Sequence, residues 1–310
     1  MDPTDIRAHR ERRLRLALGL NLGIVVVQVV FGLVARSVGL LADAGHNLVD
    51  VAAVLLALVA VRLTARRRTA ERSFGYHRST VLAALANAAL VLGVTVAIVI
   101  EGIRRLVHPS AVHGATVIVV ALVAVAGNLA AALAVHVDGH DLGMRATFVH
   151  LAADAVASLG VAAAGVVIVI TGGWQRLDPA VSLGIAALIA VQGVRLLRAA
   201  TDVLLESTPT GLDMEAVARA MAGVPGVEEV HDLHAWSLSS DVRALSAHLV
   251  MAGHPSLEEA QAVADEVKRT LVAPFGISHA TLELECESCS PDGADPCAME
   301  DLTSGTAHHH

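Results

Sequence analysis

Two copies of one pattern, His-x-x-x-Asp, lie inside two separate apolar segments of the sequence. The pairs are His46 with Asp50 and His150 with Asp154. In a helix, the spacing i, i+4 places both side chains of a pair on one face. Two such faces that meet offer two imidazoles and two carboxylates, a tetrahedral donor set that suits Zn²⁺. Because ionisable side chains inside a membrane are costly and usually functional, the pairs predict a divalent-metal transport site.

The elements that must position these pairs are predicted to be membrane helices. The chain of 310 residues is 55% hydrophobic and only 17% charged, which is less charge than a soluble domain usually carries. Six apolar segments each approach the ~20 residues that cross a lipid bilayer. They are predicted at 14–35, 39–63, 80–103, 113–136, 146–171 and 178–198. The arginine runs flank these spans and lack interleaved aromatic residues, so nucleic-acid binding is not indicated.

The distribution of arginine predicts how the chain crosses the bilayer. Most arginines lie in the N-terminal arm, in the loop after the second span and after the sixth span. The other side has fewer: Arg36, Arg104, Arg105 and Arg176. We therefore expect both termini in the cytoplasm. The richness in Ala, Val and Arg favours a bacterial inner membrane.

The last hundred residues have a different composition and are predicted to form a soluble α+β domain. Helical periodicity at 214–224 and 256–271 alternates with strand-like segments at 227–236, 242–251 and 277–285. The order α-β-β-α-β fits a small open sheet with two helices on one face. The predicted domains are a basic arm at 1–13, a six-helix transmembrane bundle at 14–205, the α+β domain at 206–286, and a disordered Cys-containing tail at 287–310 whose final histidines resemble a purification tag.

Several longer segments resemble those of the cation diffusion facilitator family, in particular its zinc-exporting branch. They occur in the family's order and cover nearly the whole chain: SVGLLADAGHNLVD at 37–50, SFGYHRSTVLAALANA at 73–88, EGIRRLVHPS at 101–110, RATFVHLAADAVASLGV at 145–161, DPAVSL at 178–183 and VPGVEEVHDLHAWSL at 224–238. The resemblance implies a homodimer of six-helix protomers, each with a cytoplasmic ferredoxin-like domain. It also implies that the protein is a secondary active transporter and not an enzyme.

The resemblance assigns the transport ligands to the two His-x-x-x-Asp pairs. It implies export of a divalent metal by alternating access in exchange for H⁺. Zn²⁺ is the expected substrate from the donor types, and Co²⁺ or Cd²⁺ are further candidates. Without metal, protons should enter the same buried donors, because two carboxylate charges cannot remain uncompensated there. Metal and protons are therefore expected to compete for one site.

Other candidate ligands lie outside the two pairs. The resemblance implies that the loop with His77 can hold a metal, as in some members of the family. It also implies a regulatory zinc between the cytoplasmic domains, as in some relatives, with His231, His248 and Glu283 as the expected ligands. Cys286 and Cys289, with the further Cys297, have the spacing of a soft metal site. Asp43 shares a helix face with the first pair and is a candidate fifth oxygen. The loop HVDGHD at 136–141 could collect metal near the mouth of the pathway.

Two other functions remain open from the sequence. An intramembrane metalloenzyme would keep one coordination position for water, whereas here four protein ligands fill a tetrahedral shell. A membrane-bound metal sensor would use the C-terminal domain as its zinc-responsive output, although no kinase, cyclase or DNA-binding element follows the spans. Turnover of a substrate without metal flux would favour the enzyme, and metal binding without flux would favour the sensor.

Overall fold

The computed structural model describes residues 3–135, 142–239 and 242–286, with side chains described at 18–133, 148–239 and 242–286. The chain divides into two compact units. The first contains Met1–Arg62 and Leu82–Arg198, and the second contains Leu63–Val81 and Ala199–His310. The loop between the second and third helices thus belongs with the C-terminal domain.

Six long helices account for the predicted spans. They are α1 (Pro3–Ala35), α2 (Val38–Thr64), α3 (Ser79–Val107), α4 (Gly114–Val135), α5 (Leu142–Thr171) and α6 (Leu177–Leu204). Each of the six contains a segment long and apolar enough to cross a membrane. The sequence prediction of six spans is confirmed. The main differences are at the ends, where α1 extends beyond its apolar part at Leu18–Ala35 and α6 continues to Leu204.

The bundle has a small buried core and a large apolar exterior. Buried Leu40, Val117 and Val161 belong to one cluster that combines α2, α4 and α5. Helices α4 and α5 approach closely because Gly114 and Gly165 face each other: a Cβ on either glycine would lie within 3.2 Å of the other's carbonyl oxygen. Large side chains on the outside are apolar, so the surface suits lipid contact. The chain is therefore a multi-pass membrane protein.

The C-terminal domain has the predicted order of elements. They are α7 (Met214–Ala222), β1 (Val227–Ser237), β2 (Arg243–Met251), α8 (Leu257–Phe275) and β3 (Ile277–Glu285). In the sheet, β2 lies between β1, which is antiparallel to it, and β3, which is parallel to it. Both helices contribute to one core on the same face of the sheet, with Met221 from α7 and Leu271 from α8 packed near Leu245. The ferredoxin-like prediction is confirmed.

Candidate metal transport site

Helix α2 carries His46 and Asp50 on one face. The helix begins at Val38 because the carboxylate of Asp178 caps it: Oδ2 accepts the Val38 N–H at 2.7 Å. The other oxygen, Oδ1, accepts the Ser37 hydroxyl at 2.5 Å. N–H groups in the first turn have no partner within the helix, so a buried carboxylate at this place satisfies them. The cap therefore fixes the start of the helix that carries the first pair.

Helix α5 carries His150 and Asp154, and this pair faces the pair on α2. His46 Nε2 lies 3.3 Å from Asp154 Oδ1, and His150 Nε2 lies 3.3 Å from Asp50 Oδ2. Within each helix, the imidazole and the carboxylate are 3.8 Å and 3.7 Å apart. The two imidazole rings stand edge to face with centroids 6.0 Å apart. Three of the four predicted ligands, His46, Asp50 and Asp154, therefore have donor atoms within 4.8 Å of one another, and His150 adjoins them through the two carboxylates.

The distances in this cluster suit a small tetrahedral cation. Four donor atoms placed 2.0–2.1 Å from Zn²⁺ lie roughly 3.3 Å from one another. Both contacts between the helices have this length, whereas the two contacts within a helix are longer, at 3.8 Å and 3.7 Å. Among the side chains that the structure describes, no lysine or arginine forms an ion pair with Asp50 or Asp154. Two carboxylates whose basic neighbours are imidazoles, which can be neutral, attract a divalent cation in a medium of low dielectric constant.

The exposure of the side chains increases along the cluster. Asp154 is 2% exposed and His46 is 13% exposed, whereas Asp50 is 21% and His150 is 42% exposed. The contact between His46 and Asp154 is thus the closed end of the site, and the contact between Asp50 and His150 is the open end. An ion that enters this conformation would meet His150 and Asp50 first.

Asp43 lies on the same face of α2 but has partners other than the four ligands. Its Oδ2 accepts hydrogen bonds from Gln28 Nε2 at 2.6 Å and from the Ser158 hydroxyl at 2.5 Å. The structure therefore gives Asp43 a hydrogen-bonded place one turn away, instead of a place as a fifth oxygen. Sequence reasoning missed Gln28 and Ser158, although Ser158 follows Asp154 by one turn on α5.

A second cluster of histidine and carboxylate lies on the sheet of the C-terminal domain. Its centre is His248 on β2, whose Nδ1 lies 2.8 Å from Glu285 Oε1. His231 Nε2 lies 3.2 Å from Glu285 Oε2, and the two imidazole rings are 5.2 Å apart. The sequence prediction named Glu283 as the third ligand. Glu283 is 68% exposed and reaches only His248, at 3.5 Å, so the structure places Glu285 between the histidines instead.

The register of the strands favours Glu283, so the position of Glu285 between the histidines comes from the orientation of the side chains and not from strand pairing. His248 pairs with His231 on one side and with Glu283 on the other. The alternation of β3 puts Glu283 and Glu285 on the same face, and only the contacts between strands decide which of them lies between the imidazoles. An irregularity in β1 also turns Asp232 towards His248 at 3.5 Å, with a φ of 47°. Period-two alternation predicts the opposite face for Asp232, so sequence reasoning missed it.

Of the remaining candidates that the structure describes, neither His77 nor Cys286 belongs to either cluster. His77 lines a cavity of about 190 Å³ in the second unit, together with His279, Phe74 and Arg68. Cys286 directly follows β3 and is exposed. The predicted partners Cys289 and Cys297 lie outside the described residues, as does the loop 136–141.

Comparison with known families accounts for most of the chain. The model described as the cation efflux transmembrane domain matches residues 14–205. The model described as the cytoplasmic domain of cation efflux proteins matches residues 209–287. The two matches correspond to the six-helix bundle and to the α+β domain.

Curated relatives are similar over nearly their full length. The zinc transporter ZitB of Escherichia coli (strain K12) is 34% identical, covering 96% of this chain and 94% of the relative. The metal cation efflux system protein CzcD of Cupriavidus metallidurans is 33% identical, with coverage of 90% and 88%. A cadmium, cobalt and zinc/H(+)-K(+) antiporter of Bacillus subtilis is 29% identical, with 93% of each chain covered.

Proposed function

Because the chain belongs to the cation efflux (cation diffusion facilitator) family, whose members are transporters and not enzymes, we propose that it exports Zn²⁺ through the His46, Asp50, His150 and Asp154 cluster. The observation that carries this proposal is the pair of 3.3 Å contacts that join an imidazole of one helix to a carboxylate of the other. Alternating access would expose this cluster to one side of the membrane and then to the other.

The choice of Zn²⁺ rests on the donor atoms. Two imidazoles and two carboxylates favour Zn²⁺, with Co²⁺ as its geometric mimic, whereas Mg²⁺ and Mn²⁺ prefer oxygen ligands in octahedral geometry. The names of the relatives support this choice, since they mention zinc, cadmium and cobalt. Zn²⁺ is therefore the proposed main substrate, and Co²⁺ and Cd²⁺ are proposed secondary ones.

Exchange for protons follows from the chemistry of the same ligands. An imidazole must be neutral and a carboxylate ionised to bind metal, so metal binding displaces protons and protonation displaces metal. Histidine changes its charge near physiological pH. An inward proton gradient would thus release the metal outside and reset the empty site. The relative from Bacillus subtilis, named as an antiporter with protons, supports this mechanism.

The proposed orientation has both termini in the cytoplasm of a bacterial inner membrane. Arg104 and Arg105 fit the arginine asymmetry least well; both form ion pairs with Glu101, at 2.8 Å and 2.7 Å, so one carboxylate balances one of their two charges. In this orientation the open end of the site, at Asp50 and His150, faces the cytoplasm. The conformation is then the one that loads metal for export.

We also propose the division of the chain and its assembly. A basic arm at 1–13 and a tail at 287–310 flank the transport domain at 14–205 and the α+β domain at 206–286, and the extents of the two family matches support the inner boundaries. The C-terminal match supports a homodimer.

In such a dimer, Zn²⁺ at His231, His248 and Glu285 would bias the transport conformations, with Glu283 at the rim of the site. The sequence also predicts metal ligands at His77, Cys286 and Cys289, and these stay predictions.

The decisive experiment is Zn²⁺ uptake into proteoliposomes under an imposed pH gradient. We expect flux of the wild-type chain to follow the gradient and the Asp154→Ala variant to show none. Glu101→Gln is the matched control, since it removes a membrane carboxylate outside the cluster and should keep flux. Flux that survives in Asp154→Ala would place transport elsewhere. Stoichiometric Zn²⁺ binding by the wild type without flux would favour the sensor.

A further inference from the structure

Side chains of α2 and α5 contact each other at three successive places, and the third contact lies beyond the proposed ligands. In order along α2, the contacts are Asp50 with His150, His46 with Asp154, and Asp43 with Ser158. Successive contacts are three or four residues apart on each helix, which is about one helical turn. The numbers rise on α5 as they fall on α2, so the two helices are antiparallel here. The Asp43–Ser158 hydrogen bond continues the ligand contacts by one turn.

A third helix, α1, contacts α2 at the Asp43–Ser158 end of this series. Gln28 on α1 donates from Nε2 to Asp43 Oδ2 at 2.6 Å. Its Oε1 accepts a hydrogen bond from Asn47 Nδ2 at 3.1 Å. Asp43, Gln28, Asn47 and Ser158 are all 0% exposed. These four side chains, which we call the polar junction, thus connect α1, α2 and α5 next to the closed end of the ligand cluster.

The physical setting makes the polar junction stiff. Hydrogen bonds to a buried carboxylate are short and strong because no water competes for the acceptor. Asp43 Oδ1 and Asn47 Oδ1 are buried without a hydrogen-bond partner among the described residues, so loss of a donor to Asp43 Oδ2 would leave this carboxylate still less satisfied, which opposes sliding of the helices. Among the described residues, no lysine or arginine pairs with Asp43, and its two partners are neutral donors. Hydrogen-bond geometry therefore holds this contact in place.

We propose that Asp43 and Ser158 are positioning residues that set the separation of α2 and α5 at the transport site. The inference rests on the proposed transport of Zn²⁺ through that site. A ligand shell is selective only if its supporting structure keeps the donors at the distances that one ion requires. Cd²⁺ is larger than Zn²⁺ and needs longer bonds to the same donors. A fixed separation of the helices favours Zn²⁺, and a relaxed separation admits Cd²⁺.

Ser158→Ala tests this role, with Ser182→Ala as a matched control. Both serines are 0% exposed, but the Ser182 hydroxyl donates only to the Asp178 carbonyl of its own helix at 2.7 Å. In proteoliposomes we measure the ratio of Cd²⁺ to Zn²⁺ transport, which does not depend on the amount of folded protein. We expect Ser158→Ala to raise this ratio about three- to tenfold, below the 10–100-fold typical of residues that bond a ligand directly. Ser182→Ala should leave the ratio unchanged.

Asp43→Asn separates geometry from charge. Both donors reach one carboxylate oxygen, and the amide oxygen of asparagine can accept the same two bonds. The ratio for Asp43→Asn is therefore expected to stay closer to the wild-type value than the ratio for Ser158→Ala. Equal ratios in the two serine variants, or a shift in Asp43→Asn as large as in Ser158→Ala, would overturn the inference. Absence of wild-type flux would overturn the transport function itself and this inference with it.

Discussion

The membrane bundle and the C-terminal domain each bring two histidines together with carboxylates, but they do so with different architectures. In the bundle, the spacing along each helix determines which side chains share a face, and two contacts between helices bring the faces together. In the C-terminal domain, three neighbouring strands each contribute one side chain, and side-chain contacts across the sheet bring them together. The first site is encoded within two short segments, whereas the second depends on alignment across the sheet.

The surroundings of the two clusters also differ. The membrane ligands lie in an apolar bundle where an ionised group is costly, so an ion or protons must compensate the carboxylates. The C-terminal cluster has further carboxylates at its rim, Asp232 and Glu283, in a domain with polar surfaces. Loss of one ligand should therefore reduce Zn²⁺ flux strongly when the ligand lies in the membrane cluster and only slightly when it lies in the C-terminal cluster.

Removing one imidazole from each region gives the sharpest test of this difference. We expect His150→Ala to lower Zn²⁺ flux about 100-fold, because a shell that lacks one donor binds metal poorly. We expect His248→Ala to change flux by less than about fivefold, the size of a weak coupling between distant sites. Initial rates in proteoliposomes measure both. Similar losses in the two variants would mean that the C-terminal cluster is part of the transport pathway.

Changing a donor without removing it tests the selectivity of the membrane cluster. His46→Asp replaces an imidazole by a third carboxylate, which suits harder or larger ions and weakens the preference for Zn²⁺. We expect Cd²⁺ to compete with Zn²⁺ uptake about tenfold more strongly than in the wild type, which is the smaller effect usual for altered donors. Competition is measured as the Cd²⁺ concentration that halves Zn²⁺ flux. Unchanged competition by Cd²⁺ would show that the donor types of this cluster do not determine which metal is transported.

The different positions of Glu283 and Glu285 predict a difference within the C-terminal cluster. In an Asp154→Ala background, which disables the proposed transport site, Glu285→Gln should weaken Zn²⁺ binding about tenfold, and Glu283→Gln should weaken it much less. Isothermal titration of the purified full chain measures both affinities. A larger loss for Glu283→Gln would show that metal draws the exposed carboxylate in and that the cluster rearranges on binding.

The two regions also show what sequence reasoning can supply. His46 with Asp50 and His150 with Asp154 were predictable because helical periodicity puts each pair on one face, and because charge inside an apolar segment is conspicuous. The strands of the C-terminal domain were predictable from alternation for the same local reason. Glu285 was not, because alternation assigns Glu283 and Glu285 to one face without ranking them. Gln28 and Ser158 were missed because their roles depend on which helices are neighbours, which no local pattern contains.

The smallest effect concerns the helix that supports the C-terminal sheet. Ser256 caps α8: its hydroxyl accepts the Glu259 N–H, and the Glu259 carboxylate accepts both the Ser256 N–H at 2.9 Å and the Ser256 hydroxyl at 2.8 Å. Ser256→Ala should destabilise the first turn by about 1 kcal/mol and speed hydrogen exchange of its amides roughly fivefold. Ser278→Ala, which removes an exposed hydroxyl from β3, should not.

Acid should reduce the effect of Ser256→Ala, because the capping interaction depends on an ionised Glu259. The hydrogen bond from the Ser256 side chain, followed by the one from its backbone, lowers the pKa of Glu259 below its ordinary value of 4.5. A lowered pKa in the folded state stabilises the fold above that ordinary value, and this contribution is lost as the pH falls through the folded pKa. The difference in hydrogen exchange between wild type and Ser256→Ala should therefore be full at pH 7 and shrink below the folded-state pKa of Glu259.

Zn²⁺ flux of Ser256→Ala at neutral pH should be unaffected, since the membrane cluster does not depend on this cap. A loss of flux would mean that the two regions are coupled through the stability of α8.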